Sequence, residues 1–104
     1  MYLGESVKGQ VRKIRKKLWT NAGQPGIYLL TIARNPTEQL DLIPAFVFSQ
    51  KQFPRDDLHI IGIAGSKEEA ILVVQSLAEE TLREQGNANM REYLANLEYQ
   101  ESRK

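Results

Sequence analysis

Apolar residues first recur at helical spacing near the N-terminus: Val7, Val11, Ile14 and Leu18 fall at steps of four, three and four. At about 100° per residue they share an arc of about 60°, so the pattern predicts a helix from about Glu5 or Ser6 to Thr20 with a narrow apolar stripe. Gly9 weakens that helix by about 1 kcal/mol relative to alanine. Trp19 lies off the stripe, which marks it as the helix end or as an exposed contact. The run Asn21-Ala22-Gly23-Gln24-Pro25-Gly26 then turns the chain.

Helical spacing next gives way to short apolar runs divided by turn residues. Ile27 to Arg34 reads as a strand, Asn35-Pro36-Thr37-Glu38 as a turn, and Leu40 or Asp41 to Gln50 as a second strand. Pro44 cannot donate to a ladder, so the second strand lies at an edge or bulges there. Residues 51–57 read as a loop, and Leu58 to Ala64, rich in isoleucine, as a third strand. Short connections favour antiparallel neighbours. Alternation places Leu29 opposite Leu30 in the first strand, Phe46 and Phe48 opposite Ala45 and Val47 in the second, and Ile60 opposite Ile61 and Ile63 in the third. Both faces are therefore apolar, whereas a sheet with one wet face alternates more cleanly. Helices on both sides, or a partner subunit, must cover them.

A helix start with a mechanism follows. In Gly65-Ser66-Lys67-Glu68-Glu69, Ser66 can cap the orphan amides, and Glu69, three residues on, completes a capping box. Both glutamates suit the positive end of the helix dipole. The helix runs to about Gln85, where Gly86 stops it. Leu72 falls on its polar side, among Glu68, Gln75, Glu79 and Arg83. Met90, Tyr93, Leu94 and Leu97 predict a last short helix, with Tyr99 to Lys104 as a frayed tail. The expectation is one α+β domain over residues 1–104, a three-stranded antiparallel sheet packed by helices in the order α-β-β-β-α-α.

Composition narrows the function classes. The 104 residues are 41% apolar and contain no cysteine, so there is no disulfide, thiolate metal site or cysteine nucleophile. No apolar run approaches the roughly 20 residues of a membrane span, and charges follow the N-terminus where a secretory signal would have its apolar core. A cytoplasmic location is the default expectation. Net charge is only +1, yet it is unevenly spread. Residues 1–24 carry six cations against Glu5, a net +5, and residues 66–101 carry three cations against eight glutamates, a net −5.

Candidate chemistry is sparse. His59 is the single histidine, so one chain can assemble neither a serine triad nor a histidine-based metal site. It reads as a structural or solvent-edge residue. Asp56-Asp57 reads as loop solvation, because adjacent carboxylates rarely converge on one substrate atom. Glu79 can pair with Arg83 at i,i+4. No catalytic residue, metal ligand or cofactor site is assigned. The Gly62-to-Lys67 junction offers amides and a helix N-terminus to an anion, with Lys67 in support, although Glu68 and Glu69 oppose one and the P-loop and dinucleotide spacings are both absent. The strongest outward signal is the basic helix: Lys8, Arg12, Lys13, Arg15, Lys16 and Lys17 all lie off the apolar stripe and suit contacts to phosphates. An anionic membrane surface is disfavoured, because the apolar stripe is narrow and carries only medium-sized side chains; the cations also suit a solvated face or the acidic C-terminal region of the same or a second chain.

Two resemblances add to this reading. Gly62-Ile63-Ala64-Gly65-Ser66-Lys67-Glu68-Glu69-Ala70 resembles the strand–helix junction of double-stranded-RNA-binding domains, where spaced glycines meet a Ser-Lys-Lys-x-Ala-Lys helix start. Ser66, Lys67 and Ala70 match, whereas Glu68 and Ile71 stand where that family has its other two phosphate-contacting lysines. The resemblance implies a β-β-β-α topology more than RNA binding. Separately, the stretches Gln24 to Leu30, Asp41 to Ala45 and Ile61 to Ala70 are similar to a family of small, uncharacterised bacterial α+β proteins, which implies a compact fold and no particular activity.

The resulting expectation is a non-enzymatic binding or assembly protein that self-associates or takes a protein partner, with Trp19, Phe53 and Leu72 as interface candidates. The alternative is nucleic-acid binding through the basic helix. An enzyme using Asp56, Asp57 and His59 ranks last.

Overall fold

The computed structural model describes residues 1–19, 26–33, 35, 37–49 and 59–102. The chain is α+β, with three helices and a four-stranded mixed sheet in the order β1-β4-β2-β3. Strand β1 is Tyr2–Leu3, β2 is Tyr28–Ile32, β3 is Leu40–Pro44 and β4 is Ile60–Ala64. The helices are α1, Val11–Trp19, α2, Lys67–Gln85, and α3, Met90–Ser102. The β2–β3 pair is antiparallel, as its short connection implies; β4 does not follow beside β3 but pairs antiparallel with the other side of β2, leaving β3 at the edge, and β1 pairs parallel to β4.

Several expectations need correction. The sheet has four strands because Tyr2 and Leu3 pair with Gly62 and Ile63, a two-residue strand too short to show a period. Gly62 permits that approach, since a Cβ there would lie 2.8 Å from the Tyr2 carbonyl oxygen. The first helix does not begin at Glu5 or Ser6. Glu5–Val7 is a 3-10 turn, and α1 starts at Val11, beyond Gly9. The second strand stops at Pro44, and Ala45–Ser49 winds into a 3-10 helix. The tail from Tyr99 continues α3 as far as Ser102.

The bookends of α2 match the sequence pattern. Ser66 Oγ accepts from the Glu69 amide at 3.0 Å, and Gly86, at φ 81°, closes the helix with its amide on the Leu82 carbonyl at 2.9 Å. Of the expected turn at 35–38, the described residues are tied together: Asn35 Oδ1 accepts from the Thr37 amide and hydroxyl, and the Glu38 amide donates to the Asn35 carbonyl.

The doubly apolar sheet is covered by the chain's own helices. On one face, Leu30, Ile61 and Ala64 pack with Ala70 and Leu77 of α2 and Tyr93 and Leu94 of α3. On the other, Leu29 and Ile63 pack with Val7 and Ile14, joined by Val11, Ile43 and Val47. The third strand breaks its expected alternation. Ile60 packs with Ile63, and Ile61 packs with Leu30 and Ala64. A bulge explains the switch: Leu30 pairs with Gly62 but Thr31 with Ile60, so β4 carries one extra residue there.

Candidate functional site

The sheet separates the two charged ends of the sequence. Val11 and Ile14 seat α1 on its face, with Ile14 only 3% exposed. Arg12, Lys13, Arg15, Lys16 and Lys17 between and beyond them are all exposed. Lys16 and Lys17 also fall in the last turn, where cations suit the helix dipole. Lys8, just before α1, is exposed and pairs with Glu5 at 2.7 Å. On the opposite face, α2 and α3 expose Glu68, Glu79, Glu84, Glu92 and Glu98. The structure therefore brings five of the six predicted cations onto one short helix and holds the acidic helices across the sheet.

Lys67 is exposed at the start of α2 and so does not lie on α1 with the other cations. The junction beside it has its own anion. Glu69 Oε1 accepts from the Gly65 amide and from the Ser6 hydroxyl, each at 2.9 Å. The Gly65 amide, with Ser6 assisting, holds the Glu69 carboxyl below its usual range despite some desolvation. The capping box thus reaches one residue further back than its simplest form and captures the N-terminal segment as well.

Leu72 is 61% exposed on α2, and Ile71 and Leu82 are exposed on the same helix. Trp19 ends α1, while its side chain, Phe53 and Asp56-Asp57 lie outside the described residues. His59, just before β4, sits half-exposed and pairs through Nε2 with Glu98 of α3. Its carbonyl accepts from the Ile32 amide at 3.0 Å, so the residue ties the sheet edge to the helix layer.

Two features were invisible in the sequence. Glu80 Oε2 accepts from Tyr2 Oη at 2.6 Å and Tyr93 Oη at 2.7 Å, joining β1, α2 and α3 at one carboxylate. The Tyr2 and Tyr93 hydroxyls lower the Glu80 pKa, and the same carboxylate pushes Tyr93 up to about 12. An open groove of about 860 Å³ lies between the β2–β3 turn and the start of α3. Two of its polar side chains are engaged internally. Arg91 Nη1 donates to the Ala33 and Glu38 carbonyls at 2.6 and 3.0 Å, and Gln39 Oε1 accepts from the Met90 amide at 2.5 Å. These contacts fasten the hairpin to α3 and leave the basic helix as the most distinctive outward surface. Among the described residues, no group of three or more histidine, cysteine or carboxylate side chains is placed to hold a metal ion, and no helix is long and apolar enough to cross a membrane. No family model, curated protein or solved structure matches this chain.

Proposed function

We propose that this is a non-enzymatic binding protein whose working surface is the outer face of α1 and whose partner is a polyanion, foremost a nucleic acid. One observation supports the reading: Val11 and Ile14 seat α1 on its own sheet, and Arg12, Lys13, Arg15, Lys16 and Lys17 are exposed. The carboxylate-rich helices lie across the sheet, so the field of the molecule favours approach of an anion to the α1 side. Lys8 adds a sixth cation at the entrance to the helix.

The test is fluorescence polarisation with labelled single strands and duplexes over a salt series. Affinity should fall steeply with salt, with a log–log slope of about −0.7 per phosphate contact on a single strand. Replacing Arg12, Lys13, Arg15, Lys16 and Lys17 by glutamine should abolish binding and leave the circular dichroism spectrum unchanged. Absence of binding even at low salt would overturn the proposal.

Self-association is a second reading, now favoured by a different surface. The sheet faces are covered within the chain, whereas Ile71, Leu72 and Leu82 remain exposed on α2. Sedimentation velocity over a concentration series checks it: Leu72→Ser should shift a wild-type dimer toward monomer, and a wild-type monomer throughout rules the reading out.

A further inference from the structure

Strand β3 is an outer strand: β2 flanks it on one side, and among the described residues no strand lies on the other. Its backbone groups divide by alternation. The Ala45 amide donates to the Ile27 carbonyl at 2.9 Å, and the Ala33 amide to the Gln39 carbonyl at 3.1 Å. Both pairs continue the register that sets Leu29 against Ile43 and Thr31 against Asp41. In an antiparallel ladder every second pair exchanges hydrogen bonds. Asp41 and Ile43 therefore serve β2, and Leu40, Leu42 and Pro44 turn their backbone groups away from it. Such a row of unpaired amides and carbonyls is a template for a further strand. The side chains suit one. Leu40 and Leu42 lie in the layer of α2 and α3, Ile43 in that of α1, and every residue of the strand is half-buried.

We infer that β3 pairs antiparallel with β3 of a second copy about a two-fold axis at Leu42, joining two four-stranded sheets into one. Two residues of the strand select that register. Centred on Asp41, the pairing would set two carboxylates directly opposite each other, which is destabilising. Centred on Ile43, it would oppose Leu42 with Pro44, which has no amide to donate. Centred on Leu42, the Leu42 amide and carbonyl exchange bonds with their counterparts, and the Leu40 amide donates to the opposite Pro44 carbonyl. Asp41 then faces Ile43, so no like charges meet. A charge and a proline thus restrict the edge to one partner in one register, instead of leaving it open to any strand. The axis stands perpendicular to the sheet, so both α1 helices lie on one face of the dimer and α2 and α3 of both copies on the other.

The chain has no cysteine, so a single introduced thiol reports on its own position. Opposed residues of a hydrogen-bonded pair stand about 5.5 Å apart between Cα atoms, within reach of a disulfide. Leu42→Cys should give a disulfide-linked dimer on mild oxidation. Leu40→Cys should not, since its counterpart lies at the far end of the partner strand, roughly 14 Å away. Leu42→Pro removes an amide that the β2 ladder leaves unused, so the variant should keep its circular dichroism spectrum and lose the dimer that wild type shows in sedimentation velocity. The contact is separate from the exposed apolar residues of α2, and adding Leu72→Ser to Leu42→Cys should leave the cross-linked yield unchanged. A wild-type monomer at every concentration, equal cross-linking at positions 40 and 42, no cross-link at 42, or a cross-link that depends on Leu72 would overturn the inference.

Discussion

Glu80 receives two phenolic hydroxyls, and the chemistry of that contact sets its response to pH. Its carboxyl is held below the usual range, so the fold favours the charged form. The stabilisation is complete above the ordinary glutamate range and is lost as pH falls through the depressed folded value. Glu80→Gln should therefore cost about 1–2 kcal/mol at neutral pH, and the gap to wild type should close as acid carries the pH below the ordinary glutamate range. Urea denaturation at neutral and acidic pH checks this. Tyr93 carries the opposite signature. Its pKa, raised to about 12, means the folded state keeps a proton that the unfolded chain releases near 10. Stability should fall between those values, and Tyr93→Phe should flatten that limb. Neither partner was identifiable from sequence: Tyr2 and Glu80 are 78 residues apart, and no local period connects them.

At the scale of elements, the N-terminal segment is the least predictable part and the most closely fitted. Tyr2–Leu3 pairs with β4, the Gly4 amide donates to the Ile63 carbonyl at 2.9 Å, and Glu69 holds Ser6. Gly62→Ala would drive a methyl against the Tyr2 backbone, which cannot rotate away as a side chain can. A cost of about 1–3 kcal/mol is expected, read as a lower melting temperature. Gly9 offers the contrast. A Cβ there meets nothing within 4 Å, so Gly9→Ala should stabilise by about 0.4–1 kcal/mol through the unfolded state. Pattern reading placed α2 well because its cap, its stop and its long apolar face agree. It overextended the first helix across Gly9 and the second strand past Pro44, because an apolar run does not itself say when strand becomes 3-10 helix.

Across the whole molecule, near-neutral net charge conceals a separation of charge by the sheet. Cations on α1 and carboxylates on α2 and α3 occupy opposite layers. This arrangement bears on how any self-association should respond to salt. Contact between a basic face and an acidic face would dissolve as salt rises, within the screening lengths of exposed charges. Contact through Ile71, Leu72 and Leu82 would persist, because apolar burial does not depend on screening. Sedimentation at low and high salt separates the two, and persistence is the expected result for any dimer formed through α2.

By itself the sequence determined the α+β class, the antiparallel β2–β3 hairpin, the capped α2 helix and the charge of each end, but not that β4 lies beside β2 rather than β3. These follow from local periods, turn residues and caps, which act over a few positions. It also required that something cover both sheet faces. Only the tertiary structure decided what does so: α1 takes one face and α2 with α3 the other, which turns the α1 cations outward. The parallel β1 strand, the bulge in β4 and the Glu80 contacts likewise depend on residues far apart in the chain. Their physical reason is packing and hydrogen bonding in three dimensions, for which the linear pattern carries no period.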